Sequence, residues 1–288
     1  MNRAIPLLTV LAVLIAAWYV AAAAMNAPLQ RDLYANNDNA TYTTADLINA
    51  SLNMQRPKLP APHQVASELY KLLVLTEPTS KRSLVYHAGI TAQETVIGFV
   101  IGAALGVGLA VLMVSQSLVE RSLMPWIVAS QTVPIIALAP MIVVILNQFG
   151  VGGIAPKAVI AAYLCFFPIT VGMAKGFRSP DPLQLDLMRT YSATPRQVFL
   201  KLRAPASLPF LFASLKIGVA AALVGAVVAE VTKSEDGGLG ARLLTGSYYG
   251  QTVQIWAALF TAAALSGALV ALIDVIGRIT LKRMAFST

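Results

Sequence analysis

The chain has 288 residues, of which 57% are hydrophobic and 12% charged, with a mean hydropathy of +0.70 and a formal net charge of +8. Soluble domains carry about 25% charged residues, so this composition excludes an ordinary soluble domain and indicates an integral membrane protein. The positive charge is explained better by membrane topology than by binding to nucleic acid. The charge-free run 96–114 fits a spanning helix, which needs about 20 apolar residues. Cys165 has no cysteine partner and is predicted to be a small buried residue.

Residues 1–25 are predicted to form the first transmembrane helix. The chain carries no charge between Arg3 and Arg31, a stretch long enough to cross a bilayer. A cleaved secretory signal is the alternative, because a basic start followed by an apolar run and small residues also describes a signal peptide.

Residues 26–87 are polar and rich in Asn, Asp and Pro, which favour turns. We predict that this segment, including Asn39, lies outside the membrane on the periplasmic side. Apolar residues between Val65 and Leu73 recur at helical spacing and indicate a short amphipathic helix.

Residues 88–280 are predicted to form an all-α transmembrane core, followed by a cytoplasmic tail at 281–288. Pro134, Pro140 and Pro168 fall inside predicted spans, where neighbouring helices can satisfy the freed backbone groups. With the first helix the chain is predicted to cross the membrane six times, the later spans covering 88–114, 123–146, 156–176, 210–231 and 255–277.

The distribution of Lys and Arg predicts the orientation. Basic residues concentrate in cytoplasmic loops, and seven of them lie from Lys175 to Lys216. Both termini and the loop 178–209 are therefore predicted to face the cytoplasm.

The loop 178–209 is basic and amphipathic. Its first half fits a helix up to Pro195, and its second half places Val198, Phe199 and Leu202 on one face. Pro205 and Pro209 are predicted to end the second helix. We predict two short helices at the inner membrane surface. Such helices either rest on anionic lipid or bind a cytosolic partner, and the length of the element and its prolines favour the partner.

This loop resembles the EAA loop of the permease subunits of bacterial ABC importers, whose pattern is Glu-Ala-Ala, three residues, Gly, nine residues, then Ile-x-Leu-Pro. Asp186 stands at the Glu, Leu187 and Met188 at the alanines and Ser192 at the Gly, and 202–205 occupies the closing motif. About residues 59–280 resemble the nitrate, sulfonate and taurine branch through the stretches LPAPHQV, LMPWIVASQTVPIIALAPMIVV, FFPITVGMAKGFRSPDP and PASLPFLFASLKIGVAAALVGAVVAE.

The resemblance implies a type I importer core of five transmembrane helices that works as a homodimer in the bacterial inner membrane. It also implies two cytosolic ATPase subunits bound to the loops and a periplasmic solute-binding protein. The chain would then be a transport subunit that moves solute by alternating access, and it would not itself be an enzyme. The residues implied to couple it to the ATPase are Asp186, Arg189, Tyr191, Ser192, Ala193, Val198, Phe199, Leu202 and Pro205.

Ser192 departs from the family's glycine. Glycine adopts positive φ at little cost, so serine at this position predicts either a helical residue or mild backbone strain. Tyr191 beside it has the largest side chain near the predicted turn, and we predict that it anchors the ATPase.

The sequence contains no G-x-x-x-x-G-K-[ST] phosphate loop, and the glycines of 237–246 lack the lysine. We predict no cofactor in this chain, with ATP and magnesium bound by the partner ATPase. His63 and His87 have no acidic or cysteine neighbours at metal-binding spacing.

The stretch 246–260 resembles permeases for pyrimidine thiamine precursors and riboflavin, and Glu94 lies near a position where sulfonate-type members carry Arg. We predict a neutral heterocyclic solute. The alternative is an anion such as a sulfonate, taurine or nitrate. An ion-coupled secondary transporter is a more remote alternative, since it would ordinarily show internal repeats.

Polar residues inside apolar runs are candidates for the solute pathway, because a charge in hydrocarbon is costly. The alternatives are that Glu230 reaches water at the end of its span and that uncharged polar residues make interhelical hydrogen bonds. The predicted pathway residues are Gln131, Pro134, Asn147, Glu94 and Glu230. Gly98, Gly102 and Gly106 follow the spacing of close helix packing, within the chain or with a second copy.

Overall fold

The computed structural model describes residues 4–36 and 42–284, and these ranges contain helices and no strand. Asn39 and residues 285–288 of the predicted tail lie outside the described residues. The predicted all-α fold is confirmed. The helices are α1 (Ala4–Asn36), α2 (Thr44–Leu52), α3 (Pro62–Tyr70), α4 (Leu84–Ser115), α5 (Ser117–Ser130), α6 (Ile135–Gln148), α7 (Ile154–Phe177), α8 (Pro182–Thr190), α9 (Pro195–Val198), α10 (Ala204–Ala206), α11 (Leu208–Thr232), α12 (Leu239–Tyr248) and α13 (Thr252–Arg283), with π-helical turns at Lys71–Leu75 and Phe199–Arg203.

Among the residues that the structure describes, five helices are long and apolar enough to cross a membrane: α1, α4, α7, α11 and α13. The first of them continues to Asn36, past its predicted end at residue 25. Leu, Gln and Arg in this extension are good helix formers. The polar residues of the extension therefore end the apolar run without ending the helix.

The third predicted span, 123–146, is not one straight helix. Helices α5 and α6 meet at an angle of 100° across the break between Ser130 and Ile135. Pro134 is the N-cap residue of α6, and its missing N–H and fixed φ prevent the helix from continuing through it. Each of the two helices has 14 residues, or about 21 Å, which is too short to cross a hydrocarbon core of about 30 Å alone. The pair is therefore either one broken span or a re-entrant loop.

The chain divides into two compact units, the first comprising 1–87 and 241–262 and the second 88–240 and 263–288. In the first unit, the fully buried Asn26 of α1 binds the last turn of α2 and the segment that follows it. Its Nδ2 donates to the carbonyls of Ser51 and Leu59, at 3.1 and 2.8 Å, and its Oδ1 accepts from the amide of Lys58 at 2.9 Å. One side chain thus satisfies backbone groups at the end of α2 and in the segment after it.

In the second unit, α7 is the central helix, and 56% of its most apolar stretch is buried. Glycines of α4 lie directly against it: a Cβ on Gly98 would come within 2.6 Å of the Ala158 carbonyl oxygen, and one on Gly102 within 2.2 Å of Cys165 Sγ. The predicted close packing is confirmed, and the neighbour belongs to the same chain. Cys165 is fully buried, as predicted.

Candidate functional site

Two regions of the second unit contain most of the predicted site residues. The first is the loop between α7 and α11. Its helix α8 begins at the N-cap residue Asp181, whose Oδ1 accepts from the amide of Leu183 at 2.8 Å, while Gln184 Oε1 accepts from the amide of Asp181 at 3.3 Å. Pro182 occupies the first turn, where its missing N–H costs nothing. This reciprocal capping box sets the start of the helix.

The end of α8 is a Schellman turn. Ser192 has φ +51°, the only positive φ at a non-glycine residue among the described residues. Its amide donates to Arg189 O at 2.8 Å, and the amide of Ala193 donates to Met188 O at 3.0 Å, the two bonds that define this helix ending. Of the two predictions for Ser192, a helical conformation is wrong, because the residue lies in the left-handed region, and backbone strain stays a prediction. The strain is expected because a Cβ disfavours the left-handed region.

The second helical part starts at Thr194. Its side chain accepts from the amide of Gln197 at 3.3 Å, and Gln197 Oε1 accepts from the amide of Thr194 at 2.8 Å, which makes a second capping box. The two predicted short helices are present, although the second is α9 continued by a π-helical turn and α10. Pro205 does not end the segment as predicted, because it lies in the first turn of α10, where no amide donor is required.

Three apolar side chains on α8 and its turn are exposed. Leu183, Leu187 and Tyr191 are 77%, 55% and 76% exposed, and their spacing of four places them along one side of the helix. We call these three residues the apolar stripe. Leu183 was not among the predicted residues, although its spacing from Leu187 is the signal that could have identified it. An exposed row of this kind outside the apolar spans is a candidate interaction surface.

The remaining predicted loop residues have other surroundings. Val198, Phe199 and Leu202 are half-buried, and the Phe199 ring packs against Phe177 of α7 with centroids 5.1 Å apart. Asp186 and Arg189 form an exposed ion pair at 2.8 Å, of a kind that contributes little to stability.

The second region is a buried charge cluster formed by Glu94 of α4, Lys157 of α7 and Glu230 of α11, all fully buried. Lys157 Nζ lies 2.9 Å from Glu94 Oε1 and 3.5 Å from Asp236 Oδ2. Taking charges out of water is costly unless each is paired and hydrogen-bonded. The cluster therefore joins three core helices by contacts that would be costly to break.

Glu230 is held by neutral donors. Thr91 Oγ1 donates to its Oε1 at 2.6 Å, and the amide of Gly240 donates to its Oε2 at 2.6 Å. The segment 233–240 reaches it through glycines, since a Cβ on Gly238 would lie 2.2 Å from the Glu230 carboxyl carbon. The glycine run that resembles a phosphate loop in sequence thus folds around a carboxylate of its own chain.

The structure brings only some of the predicted pathway residues together. Glu94 and Glu230 share the buried cluster, and the alternative that Glu230 reaches water is wrong. Gln131 and Pro134 lie at the break between α5 and α6, and Asn147 lies exposed near the end of α6. Whether these residues line a solute pathway stays a prediction. Lys157 was missed, although a lysine near the start of a predicted span is itself a signal.

The two regions lie at opposite ends of α7. Lys157 is in its first turn, and the loop follows its last residue, Phe177. At 1.5 Å per residue, about 30 Å of helix separates them. Helix α11 packs along the same helix, since a Cβ on Gly225 would lie 2.8 Å from Ala161 Cα and a Cβ on Gly172 2.6 Å from Ser214 Cβ.

Comparison with known proteins relates this arrangement to a family. Residues 96–286 match the family described as "Binding-protein-dependent transport system inner membrane component". A "Probable ABC transporter permease protein" of Haemophilus influenzae is 32% identical, over 72% of this chain and 79% of the relative. The "Formylaminopyrimidine transport permease protein ThiX" of Halalkalibacterium halodurans is 35% identical, over 66% of this chain and 72% of the relative. A solved structure of the MetNI methionine ABC transporter in an inward-facing conformation has the same fold, with a TM-score of 0.60, 19% identity, and coverage of 73% of this chain and 100% of that chain.

Proposed function

The chain belongs to the family of inner membrane components of binding-protein-dependent transport systems, and we propose that its α8–α10 loop is where partner ATPases drive solute import. It is a multi-pass inner-membrane permease subunit of an ABC importer, and the family works with ATPase and solute-binding partners. ATP and magnesium are proposed to bind to the ATPases, because the sequence lacks a phosphate loop.

The apolar stripe is the observation that carries this proposal. Leu183, Leu187 and Tyr191 are exposed on a helix that is capped at its start and ends in a Schellman turn. The caps hold the loop in one shape, so the stripe is presented without an ordering cost on binding. Because the loop directly joins α7 to α11, displacement of the stripe by an ATPase would move both core helices, and such a link suits a protein that switches between two states.

Substitution within the loop tests the docking role. Tyr191→Ala combined with Leu187→Ala is expected to weaken ATPase association at least thirtyfold, since buried aromatic anchors at interfaces are worth about 2 kcal/mol or more. Lys201→Gln is the matched control, because it removes an exposed cation from the same segment. The readouts are the amount of ATPase that co-purifies and uptake by whole cells. A large effect of Lys201→Gln with none from the double variant would mean that the loop rests on lipid and does not dock an ATPase.

We propose that the loop and both termini face the cytoplasm, with α5 and α6 forming one broken span. The concentration of basic residues near the loop supports this orientation. Single cysteines at Ser192, Ser117 and Gly150 in a Cys165→Ala background test it, since a broken span places Ser117 and Gly150 on opposite sides. Labelling of both from the same side would show a re-entrant pair, and external labelling at Ser192 would reverse the orientation.

We propose a homodimer with two ATPase subunits. Trp126, Ile136 and Phe149 of α5 and α6 are 76%, 75% and 79% exposed, so these side chains are available to contact a second copy. The mass of the purified complex tests the stoichiometry.

The solute is proposed to be a neutral heterocycle such as a pyrimidine thiamine precursor or riboflavin. The relative at 35% identity is named for formylaminopyrimidine transport. Glu94, which the sequence analysis used to argue for a neutral solute, gives no direct support, because it is fully buried against Lys157. Competition of uptake by formylaminopyrimidine, riboflavin, taurine and nitrate distinguishes the candidates, and competition by taurine or nitrate alone would favour the anion alternative.

A further inference from the structure

The α8–α10 loop has a second face, which borders a cavity of about 530 Å³ beside the end of α4. Leu185 and Arg189 line this cavity. Leu185 comes two residues after Leu183, and Arg189 two residues after Leu187. Two residues correspond to a rotation of about 200° around the helix axis. The cavity is therefore on the side of α8 opposite the apolar stripe.

The cavity is strongly basic. Arg189, Arg196 and Arg203 all line it. Arg189 is paired with Asp186 at 2.8 Å, and Arg203 donates to the Phe177 carbonyl at 3.4 Å, whereas Arg196 makes no ion pair with any residue in the described ranges. The carbonyls at the C-terminus of α4 carry about half a negative charge, and this does not offset the two arginines that lack a carboxylate partner. The cavity therefore favours an anion.

The position of the cavity relates it to the membrane. Val114 and Ser115, the last residues of α4, form part of its lining. Helix α4 has 32 residues, or about 48 Å, whereas the hydrocarbon core is about 30 Å thick and the bilayer with its headgroups about 40–45 Å. An α4 that is centred in the bilayer ends at the level of the lipid headgroups or just beyond it. Phe199 and Val114 give the cavity an apolar wall beside its arginines.

We propose that this cavity binds the phosphate headgroup of an anionic phospholipid. The planar guanidinium groups of Arg196 and Arg203 suit a phosphodiester, and basic pockets between transmembrane helices are known to hold such headgroups. The apolar wall would contact the glycerol and the first part of an acyl chain. The lipid would join α8 to α4 from one side and leave the apolar stripe available on the other.

Native mass spectrometry of the full chain, purified in detergent without ATPase, tests this proposal. The probes are phosphatidylglycerol, phosphatidylcholine and inorganic phosphate. We expect retained phosphatidylglycerol and little phosphatidylcholine. Loss of each arginine should weaken retention about fivefold, the effect of one basic residue near an anionic membrane, and Arg196→Gln with Arg203→Gln about twenty-five-fold. Lys201→Gln, which removes a cation of the same segment that does not line the cavity, should retain lipid as the wild type does.

Two further results decide the outcome. If inorganic phosphate at millimolar concentration displaces phosphatidylglycerol completely and binds equally well by itself, the site is a free-anion site and the lipid proposal is wrong. Equal retention by the double variant and the wild type also overturns it. If the double variant does not fold, the exposed single substitution Arg196→Gln provides the test. None of these measurements requires an ATPase or a solute, so they are independent of the proposed transport function.

Discussion

The α8–α10 loop and the buried charge cluster lie at opposite ends of α7, and they arrange polar and apolar groups in opposite ways. In the loop, both helix starts are capped within the segment itself, yet the apolar stripe is exposed. In the cluster, Glu94, Lys157 and Glu230 are fully buried, and each is bonded to another element.

The difference separates two roles. A buried charge network is complete only when all its members are present, so it contributes to the stability of the chain. An exposed apolar row adds nothing to the stability of the isolated chain and becomes buried only against a partner. Substitutions in the cluster should therefore change stability, and substitutions on the stripe should change association.

The largest effect is expected from Lys157→Met, which leaves Glu94 buried without its cation. Removing one member of a buried ion pair costs about 3–5 kcal/mol. The double variant Lys157→Met with Glu94→Met should recover most of this loss, because a well-packed apolar pair can replace a buried ion pair. Thermal unfolding in detergent and a double-mutant cycle measure both effects. A single variant as stable as the wild type would contradict the stabilising role of the cluster.

A smaller effect is expected from Gly240→Ala. Its Cβ would lie 2.2 Å from the Val227 carbonyl oxygen and 2.9 Å from Glu230 Cβ, so the segment around Glu230 would have to shift, at a cost of about 1–3 kcal/mol. Gly89→Ala is the matched control, because nothing lies within 4 Å of its added Cβ in α4, and alanine there should stabilise the helix by about 0.5–1 kcal/mol. Equal unfolding midpoints for the two variants would show that the segment around Glu230 is loosely packed.

Ser192→Gly should stabilise the chain by about 1 kcal/mol, since glycine adopts φ +51° without the penalty of a Cβ. Ser192→Ala, which keeps the Cβ, should leave the unfolding midpoint unchanged. If glycine gives no gain, the Schellman turn is not strained in the membrane-embedded protein.

The smallest change in stability is expected from Tyr191→Ala, because its side chain is 76% exposed. Its free energy of unfolding should change by less than about 0.5 kcal/mol, while the amount of co-purified ATPase falls. A lower unfolding midpoint for the purified chain would show that Tyr191 packs within the chain, and the contrast between the two regions would not hold.

Several features could be predicted from the sequence because they depend on neighbours along the chain. Apolar runs define the long helices, prolines and capping residues define the short helices of the loop, and the spacing of the loop motif places Ser192 at its turn. The close approach of Gly98 and Gly102 to another helix is likewise visible in their spacing, although their partner α7 is not.

Tertiary structure alone decided which distant groups meet. The chain separates Lys157 from Glu94 by 63 positions and Thr91 from Glu230 by 139. A single sequence shows that each of these charges is costly in an apolar span, but the cost can be met by water, by lipid headgroups or by any opposite charge. The sequence does not determine the 100° bend between α5 and α6 either. A proline in a span can kink the helix, break it or leave it intact, depending on which neighbours satisfy the backbone. Only the packing of α4, α7 and α11 brings the lysine and the two glutamates together, and that packing depends on small residues whose contacts are far away along the chain.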